Sequence, residues 1–455
     1  MSQFVEAVTW IESLKKFGIK PGLERMEWSL EKWGHPERRL KFVHIAGTNG
    51  KGSTLNYISN VLGKAGYTVG TYISPAMGEI TNRIQYNGMD IPEQDFAELV
   101  QEVRKQSEEL ENTSLGALTE FEVTTIVAIL YFAKVAYPDI VVWETGLGGR
   151  LDCTNVILPL VSVITNISYD HMHILGNTLE QIAAEKAGII KNGVPVALAV
   201  ESREALKVIC DLAEKKRATV YQLHEEFDYE RLVTIGKDQQ GNEGYEAFHF
   251  RSVFGAYQNL LTPLVGEHQV KNASLAVMVL EILRQFYAIH FEKEDLVEGL
   301  KTVKWPGRFE IAQKAPHLIL DGAHNIEGVE SFIQTFRERF PGRLVKLLFS
   351  ALADKDVSGM VKRLAEICDE VIVTEIGHER ATNPKDMEMW FRDYLSQDQV
   401  FSIPNWQAAL EKWLSNRSTN DILVATGSLY FISDIRKVLG KAQASCSDLQ
   451  GRADD

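Results

Sequence analysis

The chain has 455 residues, 45% of them hydrophobic, enough for two domains with buried cores. Its net charge of −14, from 48 Lys+Arg against 62 Asp+Glu, argues against a nucleic-acid surface or an anionic membrane as partner. The four cysteines, Cys153, Cys210, Cys368 and Cys446, form no CxxC pair, so neither a zinc site nor a disulfide framework is expected and a reducing cytoplasm fits.

The N-terminus, MSQFVEAVTWIESLKKFGIK, has an amphipathic helix pattern without the apolar core of a signal peptide. No apolar run approaches the ~20 residues of a membrane span. Strand-like apolar runs then alternate with helical patterns. The candidate strands are Phe42–Ala46, Thr68–Ile73, Ile140–Glu144, Val161–Asn166, Val194–Ala199 and Thr219–Leu223. Helical patterns cover Thr54–Lys64, Phe96–Leu110, Glu122–Ala136 and Thr178–Ile190. Runs apolar on both faces and separated by helices predict an α/β fold with a mostly parallel sheet. The polar segment Tyr229–Arg251, with Asp238-Gln239-Gln240-Gly241-Asn242, reads as a hairpin excursion. A second alternating set comprises His317–Leu320, Val345–Ser350, Val371–Thr374 and Ile422–Ala425. Trp305-Pro306-Gly307 interrupts the helical pattern ahead of it. The expectation is two α/β domains: a P-loop-type domain over 1–297 and a smaller Rossmann-like domain over 298–440. The small, polar stretch 441–455 is expected to be a disordered tail.

The run Gly47-Thr48-Asn49-Gly50-Lys51-Gly52-Ser53 lies between a predicted strand and a predicted helix. A glycine-rich turn there aims backbone N–H groups at an anion near the positive end of the helix dipole. Lys51 adds a mobile cation and Ser53 a hydroxyl able to reach Mg²⁺. The spacing departs from a standard P-loop, because Ile45 stands where the first glycine belongs and Gly52 separates Lys51 from Ser53. Glu144 ends a neighbouring strand, where acids commonly sit beside a phosphate-bound metal, or else it faces solvent. His171 and His173 follow the next strand and could ligate a metal or simply cap a loop. Ser74-Pro75 could offer a hydroxyl to the metal or only a turn. Lys186, on a helix, has by itself no claim beyond a solvated charge. In the second half, Asp321 and His324 follow a strand end and could hydrogen-bond a ribose or phosphate. Arg308 is a candidate for a bidentate phosphate contact or for a surface ion pair. These residues imply a two-domain, Mg²⁺-dependent enzyme that uses a nucleoside triphosphate, and leave its acceptor open.

The motifs together resemble the folylpolyglutamate synthase/dihydrofolate synthase family of the Mur ligase superfamily. The resemblance runs through His44–Ser53, Ser74-Pro75, Glu144–Asp152, Ile164–Ile167 with Asp170-His171, and Glu185–Lys191. It continues through Gly266–Ala273, Trp305–Glu310, Asp321–Asn325 and Thr426–Tyr430. It implies an ATP-driven ligase joining the α-amino group of L-glutamate to a carboxylate of a folate, or of dihydropteroate, through an acyl phosphate. Matching positions imply that Asn49, Gly50, Lys51, Gly52 and Ser53 cradle the triphosphate, with Asn272, Arg308, Asp321 and His324 as further ATP contacts. Ser53, Ser74, Glu144 and His171 match the Mg²⁺ residues. Lys186 matches a carbamylated lysine, which reverses the bland reading of it, and stands with Lys51 and His171 as catalytic. Phe121, Leu151, Asp152 and Cys153 match the pterin-binding places. A monomer in the cytoplasm, without nucleic-acid or membrane partners, is implied as well. Ala76-Met77, Asn82 and Cys153 depart from the family's common residues and put pterin selectivity in question rather than ATP use. The competing expectations are another Mur-type ligase acting on a cell-wall precursor, a nucleotide switch and a kinase.

Overall fold

The structure is a computed structural model describing residues 2–237, 243–314, 316–415 and 417–450. The chain divides into two units: Met1–Pro263 with His268–Lys304, and Leu264–Glu267 with Trp305–Asp455.

The first unit is organised by an eight-stranded sheet. In chain order its strands are β1 (Phe42–Ala46), β2 (Val69–Tyr72), β3 (Ile84–Tyr86), β4 (Met89–Asp90), β5 (Ile140–Glu144), β6 (Pro159–Ile164), β7 (Val196–Leu198) and β8 (Val220–Gln222). Their spatial order is β4-β3-β2-β5-β1-β6-β7-β8. Every pairing from β2 to β8 is parallel, and the short β3 and β4 close one edge antiparallel. All residues of β1 and β5 are buried, as two-sided helical cover demands of Val- and Ile-rich runs. The chain leaves β1 toward one edge, to β2, and later crosses to the other side of β1, to β6. The carboxyl ends around β1 are therefore a topological switch point, where open α/β sheets bind ligands.

Predicted and observed strands coincide at 42–46, 140–144 and 317–320, and the others shift at their ends. The helix after β1 spans Lys51–Lys64, beginning three residues earlier than the Thr54 start expected, because Gly50 takes a left-handed φ of 82° and turns the chain directly into it. The helix Glu120–Tyr131 is fixed at its start by a capping box between Thr119 and Glu122, and buries Val123 through Tyr131. The excursion after β8 is a three-stranded antiparallel sheet, β9 (Phe227–Lys237), β10 (Glu243–Ser252) and β11 (Gly255–Thr262). It has one strand more than the expected hairpin, and the expected turn residues 238–242 lie outside the described residues.

Residues 298–304, expected in the second domain, stay with the first unit. The helix Lys293–Lys301 holds them there: Gly299 packs against Val61, and Asn60 Nδ2 donates to the Gly299 carbonyl at 2.6 Å. The second unit has a six-stranded sheet of β12 (Glu310–Lys314), β13 (His317–Leu320), β14 (Val345–Phe349), β15 (Cys368–Glu375), β16 (Val400–Asn405) and β17 (Ile422–Thr426). The order is β12-β13-β17-β14-β15-β16, parallel except for β12. The edge strands β12 and β16 escaped the sequence reading, since edge strands are half-exposed and lack a continuous apolar run. Phe332, Phe336, Val361 and Phe391 belong to one core of this unit, and Trp413, Phe431, Ile432 and Ile435 to another. The last helix spans Leu429–Gln450 and so continues through the segment expected to be a disordered tail. No Gly or Pro stands between Lys441 and Gln450 to stop it. Residues 451–455 lie outside the described residues. No helix among the described residues is long and apolar enough to cross a membrane.

Candidate active site

The phosphate-type turn leaves β1 at Gly47. A Cβ on Gly47 would strike the Thr165 side chain, and one on Gly50 would strike the Asn272 amide. Both glycines have positive φ, 155° and 82°. The turn is pinned by the residues following β6. Asn49 N donates to Asn166 Oδ1 at 2.7 Å, and Thr165 Oγ1 donates to the Asn49 carbonyl at 2.6 Å. Ser168 N donates to Thr48 Oγ1 at 3.0 Å, while Thr48 Oγ1 lies 3.1 Å from the Ser168 carbonyl. The helix that follows has no side-chain cap, and the first turn of a helix presents N–H groups without intrahelical acceptors. Gly52 and Ser53 are buried in that first turn.

Two ammonium groups converge on one carbonyl of the turn. Lys51 Nζ donates to the Gly47 carbonyl at 3.0 Å and to that of Thr48 at 3.2 Å. Lys186 Nζ donates to the same Gly47 oxygen at 2.9 Å. Lys186 is only 4% exposed, so it is not the solvated helix charge that its local sequence suggests. The helix Leu179–Ala187 is brought this close by glycine: a Cβ on Gly149 would lie 2.7 Å from the Lys186 carbonyl oxygen.

Glu144, 5% exposed at the end of β5, places Oε1 3.9 Å from Lys51 Nζ and accepts from Ser74 N through Oε2 at 3.3 Å. Ser74 precedes a cis peptide bond to Pro75. The structure thus brings Lys51, Glu144 and Ser74 together, with Lys186 joined through Gly47 and Asn272 through Gly50. A buried carboxylate with the serine hydroxyls of Ser53 and Ser74 is the hard oxygen donor set that suits Mg²⁺. His171 has φ 46° and its backbone N–H donates to Asp170 Oδ1 at 2.9 Å; its ring stands 6.1 Å from that of His173. It follows Ser168, the residue tied to Thr48.

A second group lies under the loop after β5. Tyr72 stacks on Trp143 with ring centroids 4.4 Å apart and on Phe121 at 5.9 Å. The Arg83 guanidinium lies 5.9 Å from the half-buried Phe121 ring and pairs with Glu120 at 2.9 Å. Cys153 Sγ sits 3.2 Å from Thr125 Oγ1 and 3.9 Å from the Phe121 carbonyl oxygen. Burial, with Asp152 adding to it, pushes the Cys153 thiol well above its usual pKa, so it stays protonated. Asp152 is buried too; desolvation raises its carboxyl although Thr154 and the Leu147 N–H donate to it. The Leu151 carbonyl accepts from Gly22 N at 3.2 Å. Phe121 and Cys153 therefore share one packed region, and Leu151 and Asp152 precede Cys153 in the loop after β5.

In the second unit, Asp321 organises its own turn. Its Oδ2 accepts from Phe309 N and its Oδ1 from Ala323 N, each at 2.8 Å. Burial raises the Asp321 carboxyl, against the Arg308 charge that opposes the shift. His324 Nδ1 lies 2.9 Å from the Gly322 carbonyl, so Nδ1 carries the proton. Sequence reasoning gave Thr48, Thr165 and Asn166 no role, although a strand end adjoining β1 was a usable signal for them.

Residues 45–280 match the Mur ligase middle domain, and residues 307–429 match the Mur ligase glutamate ligase domain. The chain is 41% identical over 444 residues to the dihydrofolate synthase/folylpolyglutamate synthase of Bacillus subtilis, covering 96% of this chain and 99% of that one. Its structure is similar to folylpolyglutamate synthase of Mycobacterium tuberculosis complexed with ADP, with TM-score 0.86 and 28% identity over 96% of this chain and 99% of that one. It is also similar to Escherichia coli FolC in complex with DHPP and ADP, with TM-score 0.82 and 26% identity over 96% and 98% of the two chains. These relatives do not favour the cell-wall ligase alternative.

Proposed function

The chain belongs to the folylpolyglutamate synthase/dihydrofolate synthase family of Mur ligases, and on that footing we propose that it is an ATP-dependent ligase adding L-glutamate to the carboxylate of a folate, with dihydropteroate as the second acceptor to be tested. The observation that carries this reading is the grouping of Lys51 and Ser74 around the buried Glu144 carboxylate beside the glycine turn, in a chain of which 96% aligns with its Bacillus subtilis relative.

The acceptor carboxylate oxygen attacks the γ-phosphorus of ATP and ADP leaves, giving an acyl phosphate. The glutamate amine then attacks the acyl carbon, loses a proton, and the tetrahedral adduct collapses with loss of phosphate. Phosphorylation is needed because hydroxide is a poor leaving group from a resonance-stabilised carboxylate. Lys51 swings from the Gly47 and Thr48 carbonyls to the phosphoryl oxygens, where negative charge gathers. Gly50, Gly52 and Ser53 are assigned to cradle the phosphates at the uncapped helix start, with Asn49 beside them, its own backbone held by Asn166 and Thr165. Asn272, Arg308, Asp321 and His324 are assigned to ATP, and Phe121, Leu151, Asp152 and Cys153 to the pterin end. Mg²⁺, held by Ser53, Ser74, Glu144 and His171, supplies charge neutralisation on the phosphates when bound. Lys186 is assigned as a carbamylated residue; carbamylation would replace its positive charge by a carboxylate-like group and leave a single N–H for the bond that Nζ makes to the Gly47 carbonyl. The enzyme is assigned as a cytoplasmic monomer.

ADP release is the test, with dihydropteroate, tetrahydrofolate and its one-carbon forms offered separately, each with and without glutamate. Glutamate-dependent phosphate release with a pteroate or folate is the expected result. Turnover only with a muramyl acid, or nucleotide hydrolysis indifferent to glutamate, would overturn the assignment.

A further inference from the structure

His44 is fully buried on β1, three residues ahead of Gly47, and the chemistry above gives its ring no task. Its Nε2 lies 3.1 Å from Thr154 Oγ1. The Thr154 hydroxyl donates to Asp152 Oδ1, and Thr154 N donates to the same oxygen at 3.0 Å. Leu147 N donates to Asp152 Oδ2 at 2.7 Å. A hydroxyl has one proton to give. With that proton on Asp152, Thr154 Oγ1 can only accept from His44, so the imidazole carries its hydrogen on Nε2. Nδ1 is then a bare lone pair, and it is the buried ring atom that has no hydrogen-bond partner. Burial first and the Lys191 ammonium second hold His44 well below its usual pKa, which keeps the ring neutral with a single N–H. An apolar side chain would fill this place without stranding a nitrogen. What the histidine offers in return is its Nε2–H.

We propose that His44 and Thr154 are positioning residues for the acceptor: a buried chain of hydrogen bonds from His44 through Thr154 holds the Asp152 carboxylate in one orientation relative to β1. The proposal rests on the reading of Asp152 as an acceptor contact. The strand that ends in the phosphate turn thereby also fixes the acceptor loop, so one rigid element sets both reacting partners.

The test is steady-state kinetics of the full-length enzyme, varying ATP and the pteroate or folate acceptor separately. Asp152→Asn, Thr154→Val and His44→Leu each raise the acceptor KM by about tenfold, since each removes the charge or a hydrogen bond that holds it in place, and leave the KM for ATP unchanged. Thr154→Ser keeps the hydroxyl and His44→Gln keeps a donor near the Nε2 position, so both recover the acceptor KM. The double variant His44→Leu/Thr154→Val is no worse than either single change, because both break the same chain. A wild-type acceptor KM in Thr154→Val and His44→Leu, beside a raised one in Asp152→Asn, would overturn the relay alone. An unchanged acceptor KM in Asp152→Asn would overturn the reading of Asp152 and the relay with it. Parallel rises in both KM values for Thr154→Val and His44→Leu would mark a merely structural role. Should His44→Leu fail to fold, the Thr154→Val and Thr154→Ser pair decides the matter.

Discussion

The turn after β1 and the turn after β13 have the same local plan, a parallel strand running through a glycine turn into a helix, yet they are electrostatic opposites. After β1, two lysine ammonium groups bind the Gly47 carbonyl, and the helix begins at Gly50 with no side-chain cap. After β13, the Asp321 carboxylate accepts from two backbone N–H groups, and the Asn325 side chain caps the helix by accepting from Gly328 N at 2.9 Å. The first turn starts its helix without a side-chain cap. The second satisfies its own donors with its own anion and cap. Strand-turn-helix is therefore not enough to predict a phosphate site; what counts is whether the protein has already used the N–H groups and the positive end of the dipole.

The largest expected effect breaks the first turn's chemistry and spares its fold. Lys51→Ala should lower kcat by about 10²–10³, the worth of a preorganised charge contact to a transition state, with an unchanged thermal unfolding midpoint by calorimetry. A folded, fully active Lys51→Ala protein would remove the contrast between the turns. Asp321→Ala should differ in cost to stability, on top of a weakened ATP contact. Two buried backbone donors lose their acceptor, at roughly 1–3 kcal/mol read from urea unfolding. A smaller difference separates the glycines. Gly50→Ala forces a left-handed residue, at about 1–2 kcal/mol, and pushes its Cβ into Asn272. Gly322→Ala meets chiefly the flexible end of Leu429 and should cost less. Equal losses in the two variants would mean that the β1 turn is not conformationally special.

The smallest effect is a pH slope. Burial raises the Asp321 carboxyl in the folded protein. Between its unfolded and folded pKa values, the folded chain therefore binds more protons than the unfolded one. Its contribution to stability is fully present below the unfolded value and is lost as pH rises through the folded one. Urea unfolding across the carboxylate range should show this falling component in the wild type and not in Asp321→Asn. A slope of the opposite sign would mean that Arg308 and the backbone donors outweigh desolvation.

Much of the site was legible because its residues sit at strand ends, and strand ends were visible as the last apolar residue before a glycine, an acid or a Ser-Pro. Gly47–Ser53, Glu144, Ser74 and Asp321 were all found that way. Lys186 was not, since nothing in the pattern of its own helix distinguishes it; the close approach at Gly149 that buries it joins segments far apart in sequence. Resemblance to a family, rather than local physics, singled it out. Edge strands β12 and β16 were missed because half-exposed strands lack the continuous apolar signal of central ones. The tail after Lys441 was misjudged because polar composition was weighed above the absence of helix breakers.

By itself the sequence determined the α/β class, two units, the glycine turn after β1 and the order of motifs along the chain, because periodicity, glycine placement and spacing are local properties. Only the tertiary structure decided which side chains share a carbonyl, which helix is uncapped, and that His44, Thr154 and Asp152 form one line. These depend on strand order and on close approaches at glycines, which place residues a hundred positions apart within a hydrogen bond of each other. No local pattern carries that distance.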